Sequence, residues 1–70
     1  MDAVYGVTRS SINLRIAPSL KSSVIAALDP QEDVQVLDDS QDMVLVQTTH
    51  RRPPAKGYMP KSAVVRASNI

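Results

Sequence analysis

Short blocks of alternating apolar and polar residues recur along the chain. In the block INLRI, Ile12, Leu14 and Ile16 alternate with Asn13 and Arg15, which is the pattern of a strand with one buried face. The run MVLVQT is more continuously apolar, so this strand is expected to be buried on both faces. The same reasoning predicts strands over residues 5–8, 12–16, 33–38, 43–48, 56–60 and 63–66.

Turn-forming residues separate these blocks at intervals of about eight to twelve residues, the spacing of short strands in a β-sandwich or barrel. Proline has no backbone N–H to donate to a neighbouring strand, so each proline indicates a loop, an edge or the start of a strand. The polar segment DDSQD at 38–42 is typical of a turn whose Asp and Ser side chains cap their own backbone. The five prolines are Pro18, Pro30, Pro53, Pro54 and Pro60.

One segment has the spacing of a helix instead. Leu20, Val24 and Leu28 recur at every fourth position after Ser19, which is a suitable N-cap. Periodicity alone therefore predicts a helix over residues 20–28, in conflict with the strands predicted on either side.

The length of 70 residues permits one small domain with a limited core, which leaves little room for a deep pocket. We expect this domain to span residues 1–66, followed by a tail at 67–70. The chain contains no Cys, Phe or Trp, so disulfides and thiolate sites are excluded and Tyr5 and Tyr58 are the only aromatic residues. No apolar run is long enough to cross a bilayer. The N-terminus lacks the pattern of a signal peptide, which favours the cytoplasm unless the chain is an excised domain.

Charge is nearly balanced in total, at +1, but it is segregated along the chain. Residues 29–42 contain six acidic residues and no base, whereas residues 43–70 contain five bases and no acid. Such blocks either form the contact surface for a partner or pair with each other across a folded sheet, and a compact barrel favours the second reading. Nucleic acid is not an expected partner, because binding it requires a larger basic excess and stacking aromatics.

No residue pattern in the chain indicates an active site. The only histidine, His50, lies beside Arg51 and Arg52, and no adjacent carboxylate is present to hold it as a general base. The serines lack the flanking residues of a nucleophile elbow, and the aspartates of 38–42 lack the spacing and glycine of a calcium loop. We therefore expect no enzymatic activity, no metal and no cofactor.

A series of short matches runs through residues 5–66 in a fixed order. The matching positions are Asn13, Leu14, Arg15, Pro18, Ser19, Val24, Ile25, Leu28, Val34, Val36, Leu37, Val46, Gly57, Tyr58, Ala63 and Val64. This order resembles the bacterial Src-homology-3-type domain family. The resemblance implies a small half-open antiparallel β-barrel of about five to six short strands, with a short helical turn near residues 61–63. Under it, residues 24–28 form a strand and residues 17–23 form the loop that flanks the groove.

Four departures from the family pattern bear on function. Ala17 stands where the family has Gly, so a loop backbone that needs a positive φ is expected to be strained there. The segment PQEDV lacks the family's Gly before the next long strand. Met43 and Tyr58 stand where the family has Trp. Family members that bind peptides or cell-wall glycopeptide tend to use groove aromatics, so a groove of that aromatic kind is not expected here.

Two adjoining segments are predicted to bind a partner. The loop HRRPPAK is the longest predicted hairpin loop, and its arginines can bond a carboxylate or phosphate while the proline pair keeps them extended. In the family, the region around Met43 and residues 58–60 contributes to the groove. The alternative role for Met43 and Met59 is to fill space in the core. The predicted binding residues are Met43, Arg51, Arg52, Lys56, Tyr58, Met59 and Pro60.

These features together predict a non-enzymatic interaction module that binds a protein or peptide segment, within a larger protein or assembly. Two alternatives stay open. One is targeting to cell-wall peptidoglycan, the commonest association that the resemblance implies. The other is assembly by strand addition at an exposed barrel edge. The sequence does not determine the oligomeric state.

Overall fold

The computed structural model describes residues 4–66, which form a single antiparallel sheet of seven strands. The strands are β1 (Val4–Thr8), β2 (Ile12–Arg15), β3 (Val24–Leu28), β4 (Asp33–Asp38), β5 (Met43–Thr48), β6 (Lys56–Pro60) and β7 (Val64–Arg66). A 3₁₀ turn over Lys61–Ala63 joins β6 to β7. Across the sheet the order is β3-β2-β6-β5-β4-β1-β7, so β3 and β7 are its two edges.

The predicted all-β fold is confirmed, and each strand boundary agrees with the sequence pattern to within about one residue. The helical turn expected near residues 61–63 is also present. The sheet has seven strands rather than the five to six that the resemblance implies, with the short β7 added beside β1. The predicted tail at 67–70 lies outside the described residues, as do residues 1–3 of the predicted domain.

Residues 24–28 form strand β3 and not the end of a helix, so the choice of a strand from the family resemblance is confirmed. The helix-like spacing has a local cause. A β-bulge interrupts the pairing of β2 with β3, because Leu14 lies opposite Ala26 while the next residue lies opposite Val24. Val24 and Ile25 are consequently both exposed, at 48% and 47%, and the strict alternation of a strand is lost.

The core contains aliphatic side chains and one methionine, and no aromatic ring. Its members come from the inward positions of β2 to β6, where successive residues of a strand face opposite sides. In β5 only alternate residues are fully buried, and Met43, Leu45 and Gln47 on the other face are half-buried. The expectation that this strand is buried on both faces is therefore wrong. The buried core residues are Leu14, Leu28, Val34, Val36, Val44, Val46 and Met59.

Thr8 fastens the turn between β3 and β4 to the end of β1. Its side chain is buried, and its hydroxyl donates to the carbonyl oxygen of Asp29 at 2.6 Å and accepts from the N–H of Glu32 at 2.9 Å. The N–H of Gln31 donates to the carbonyl oxygen of Thr8 at 2.9 Å. These three bonds satisfy polar groups that would otherwise be left unpaired where the chain reverses direction.

Gln31, in the same turn, has a φ of 57°, which is the left-handed region that favours glycine. It is the only non-glycine residue in this region within residues 4–66. Ala17 is not among such residues, so the strain expected at that position is absent. The left-handed backbone thus lies at the second position of the segment PQEDV and not at Ala17.

Gly6 lies where β1 pairs with β4 on one side and with β7 on the other, opposite Val34 and Arg66. A Cβ atom at this position would lie 2.7 Å from the carbonyl oxygen of Val65, which is closer than real Cβ contacts allow. Because the obstructing atom belongs to the backbone, it cannot move aside without disturbing β7.

We expect Gln31→Gly to stabilise the fold by about 0.5–1 kcal/mol, because relief of the left-handed strain exceeds the entropy that glycine adds to the unfolded chain. Urea unfolding at equilibrium measures this change. Ala17→Gly is the matched control, and it should lower stability because Ala17 has no strain to relieve. Equal effects of the two substitutions would contradict the assignment of strain to Gln31.

Gly6→Ala should destabilise the fold by about 1–3 kcal/mol, since the added methyl group forces β1 and β7 apart. The same unfolding experiment applies, with Ser11→Ala, at an exposed loop position, as the control. An unchanged midpoint for Gly6→Ala would show that β7 does not pair with β1 as described.

Candidate functional site

The outward face of the β5–β6 hairpin carries a strip of half-exposed side chains. Strands β5 and β6 pair in antiparallel register, and residues directly opposite each other share one face of the sheet. Val44 lies opposite Met59 on the core side. The pairs on the other side are Met43 with Pro60, Leu45 with Tyr58, and Gln47 with Lys56.

One end of this strip opens into a depression of about 630 Å³, which we term the apolar groove. Its lining includes Met43 from the start of β5 and Pro60 from the end of β6, with Pro18 and Leu20 from the loop between β2 and β3. Asp42 and Lys61 supply one acid and one base to the lining. The Lys61 N–H donates to the carbonyl oxygen of Asp42 at 2.8 Å, so the 3₁₀ turn is tied to the β4–β5 turn there.

The loop between β2 and β3, which forms one wall of the groove, is held by its own hydrogen bonds. The Ser22 hydroxyl lies 2.9 Å from the carbonyl oxygen of Ala17 and 2.7 Å from that of Ser19. The guanidinium of Arg15 donates to the carbonyl oxygen of Ser22 at 2.8 Å. These contacts fix the loop while Leu20 remains 65% exposed beside the groove.

At the other end of the strip lies a second depression, of about 400 Å³, which we term the polar recess. Tyr5, Gln35 and Gln47 line it from three neighbouring strands, and successive members of this row are directly opposite each other. Arg51 and Arg52 line it from the loop between β5 and β6. No acidic side chain is among the described residues that line this recess.

The apolar groove and the polar recess lie at opposite ends of the same strand. From Met43 to Gln47 is four residues, and a rise of about 3.4 Å per residue separates them by about 14 Å. The pair Leu45 and Tyr58 lies between them on the same face. The two depressions are therefore the ends of one strip rather than unrelated cavities.

The structure places the predicted binding residues in four locations: the apolar groove, the polar recess, the strip between them, and the core. Met43 and Pro60 line the apolar groove, and Arg51 and Arg52 line the polar recess. Lys56 and Tyr58 lie on the outward face between them. Met59 is 0% exposed in the core, so its place among the binding residues is a correction: strand alternation points it away from the strip.

Sequence reasoning did not find several residues of the strip. The spacing of apolar residues places Leu20 in a helical stripe, although the family resemblance implies that the loop at 17–23 flanks a groove. Tyr5, Gln35 and Gln47 carry no local signal, because their proximity depends on the pairing of three strands that are distant in sequence.

Two bases of the C-terminal basic block pair with acidic residues across the fold, in line with the reading that the sequence favours. Arg51 forms an ion pair with Glu32, with Nε 2.7 Å from Oε2, and its Nη2 donates to the carbonyl oxygen of Ala27. Arg66 pairs with Asp39. The hydrogen bond from Arg51 lowers the pKa of Glu32 from its ordinary value, and burial, which favours the neutral acid, offsets this only in part.

His50 has a carboxylate neighbour in space, although none adjoins it in sequence. Its Nε2 lies 2.9 Å from Oδ2 of Asp33, and both side chains are exposed. No group of three His, Cys, Asp or Glu side chains within residues 4–66 is arranged to hold a metal ion. In the same part of the chain, no helix has the length and apolar character needed to cross a membrane.

Comparison of the chain with known protein families, with curated proteins and with solved structures finds no match in any of the three. The chemistry of the strip is consequently the basis for assigning a function.

The ion pair between Arg51 and Glu32 should make stability depend on pH. The pKa of Glu32 is lowered in the folded state. The ion pair therefore adds its full contribution to the free energy of unfolding above the ordinary pKa of 4.5, and this contribution is lost as pH falls through the folded-state pKa. Glu32→Gln should melt a few degrees lower near neutral pH, with a shallower loss of stability on acidification. Thermal melts over a pH series measure both effects. If the melting temperature of the variant fell on acidification as steeply as that of the native chain, the pairing would be contradicted.

Proposed function

We propose that this chain is a non-enzymatic interaction module with a Src-homology-3-like half-open barrel, and that it binds an extended segment of a partner protein in the apolar groove. The observation that carries the proposal is the groove of about 630 Å³ at the start of β5. The loop between β2 and β3, the turn between β4 and β5, and the 3₁₀ turn meet there. A concave apolar surface with few polar groups is the usual form of a recognition site.

The barrel assignment has support from contacts that bend the sheet. The hydroxyl of Thr8, on β1, bonds the backbone of the turn that follows β3. Arg51, from the β5–β6 loop, bonds the carbonyl oxygen of Ala27 on the edge strand β3. Elements that lie far apart in the strand order are thus drawn together around one core.

An extended peptide fits the groove better than a compact ligand does. The outward pair Leu45 and Tyr58 comes next along the hairpin after Met43 and Pro60, so an extended occupant of the groove can continue over the same face. The apolar part of the groove lining is two prolines, Leu20 and Met43, and Met43 is adaptable in shape. We therefore propose a ligand with an aliphatic side chain, rather than a proline-rich helix that requires aromatic stacking.

Strand addition at the edge strand β3 has an observation against it. The carbonyl oxygen of Ala27, the penultimate residue of that strand, already accepts a hydrogen bond from Arg51 at 2.8 Å. An added strand would have to displace this bond or pair around it, whereas the apolar groove is open.

Titration of the ¹⁵N-labelled chain with the uncharged peptide acetyl-LTVTQ-amide, followed by NMR, tests the proposal. We expect amide shifts centred on residues 19–22, Met43 and Lys61. Leu20→Ser should weaken binding by about tenfold, because burial of one leucine side chain contributes about 1.5 kcal/mol.

Ile16→Ser is the matched control, since Ile16 is as exposed as Leu20, at 65% each, but does not line the groove. Equal loss of binding in both variants, or shifts confined to β3, would contradict the groove as the site. Retention of the chain on purified peptidoglycan, without any peptide binding, would replace the proposal with the cell-wall alternative.

A further inference from the structure

We propose that the polar recess binds the carboxylate of an acidic residue in the same extended segment, four positions from the residue that occupies the apolar groove. This inference rests on the proposed function and adds to it the chemistry and spacing of the ligand.

The charge of the recess comes from Arg52. Arg51 also lines it, but its charge is matched by Glu32, whose side chain is only 12% exposed. Neither Arg52 nor Lys56 forms an ion pair with another described residue. Because no acid lines the recess among the described residues, an uncompensated positive charge faces an open depression.

The other groups of the recess can donate hydrogen bonds to a carboxylate. Gln35 and Gln47 lie directly opposite each other, and Tyr5 lies opposite Gln35. Their amide and phenol groups add neutral donors beside the guanidinium of Arg52. A carboxylate has two oxygens with several lone pairs, so it can accept hydrogen bonds from several of these donors at once. Its hydrogen bonds to the charged guanidinium are stronger than those to the neutral donors.

The spacing follows from the geometry of extended chains. Met43 and Gln47 are about 14 Å apart along β5, and an extended ligand covers the same distance in four residues. Side chains at positions i, i+2 and i+4 of such a ligand face the same way. The ligand side chain at position i would enter the apolar groove, the one at i+2 would lie over Leu45 and Tyr58, and the one at i+4 would enter the polar recess.

A peptide partner is favoured over single-stranded nucleic acid. The net charge of the chain is only +1, and a single uncompensated arginine in the recess provides too little charge to follow a phosphate backbone. Tyr5 and Tyr58 do lie on the same face, so a nucleic acid is the appropriate competitor in the test.

The test compares acetyl-LTVTE-amide with acetyl-LTVTQ-amide, which differ only in the final carboxylate. We expect LTVTE to bind about three- to tenfold more tightly at low salt. This preference should disappear at about 1 M NaCl, where the screening length is about 3 Å. A peptide with the acid two positions from the leucine, LTETV, should show no preference over its glutamine counterpart.

Two variants assign the preference to the recess. Arg52→Gln should abolish the preference for LTVTE over LTVTQ. Gln47→Glu should also remove the preference, because the added carboxylate neutralises the charge of Arg52. Arg9→Gln removes an exposed base elsewhere on the chain and should retain the preference.

The outcomes separate this inference from the proposed function. Equal binding of LTVTE and LTVTQ, with shifts at Met43, would overturn the recess assignment and leave the apolar groove intact. Absence of binding by either peptide would overturn both. Tighter binding of single-stranded hexathymidylate, with shifts at Gln35 and Gln47, would assign the recess to nucleic acid instead.

Discussion

The register of the β5–β6 hairpin is the constraint on which both the core and the candidate site depend. With Val44 opposite Met59, the buried side chains of both strands face one way and the strip faces the other. A slip of one residue in either strand would exchange the two faces of that strand. The core would then lose its central aliphatic side chains, and the groove and the recess would lose Met43 and Gln47 together.

The scarcity of aromatic residues affects the core and the surface differently. In the core, valine, leucine and methionine side chains fill the space between strands, and no described buried side-chain polar atom lacks a hydrogen-bond partner. On the surface, Tyr5 and Tyr58 both lie on the outward face, where Tyr5 is exposed and Tyr58 is half-buried. The apolar part of the groove is thus formed by two prolines, Leu20 and Met43, without an aromatic ring, which favours a ligand with an aliphatic anchor.

The strands could be predicted from the sequence because proline and polar turns mark their ends and alternation marks their faces. The segment at 20–28 was ambiguous for a physical reason: the β-bulge beside Arg15 and the edge position of β3 expose consecutive apolar residues. Alternation is also the signal that could have placed Met59 in the core. It lies between Tyr58 and Pro60, both of which face outward with their partners on β5.

The site could be predicted only where its residues are neighbours in sequence. Arg51 and Arg52 were found together, but only the fold distinguishes them, since Glu32 reaches Arg51 and no described acid pairs with Arg52. The row of Tyr5, Gln35 and Gln47 exists only through the pairing of β1, β4 and β5. Long-range register therefore determines the chemistry of the recess, and local pattern does not encode it.

The central claim is that one strip of the hairpin binds one extended ligand, with its two ends in two different depressions. Paramagnetic relaxation by a spin label attached to either end of the LTVTE peptide tests this directly. A label at the leucine end should broaden the amide signals of Leu20 and Met43 more strongly than those of Gln47 and Arg52, and a label at the glutamate end should give the opposite order. The same order of broadening with both labels, or the strongest broadening in β3 with either, would contradict the account.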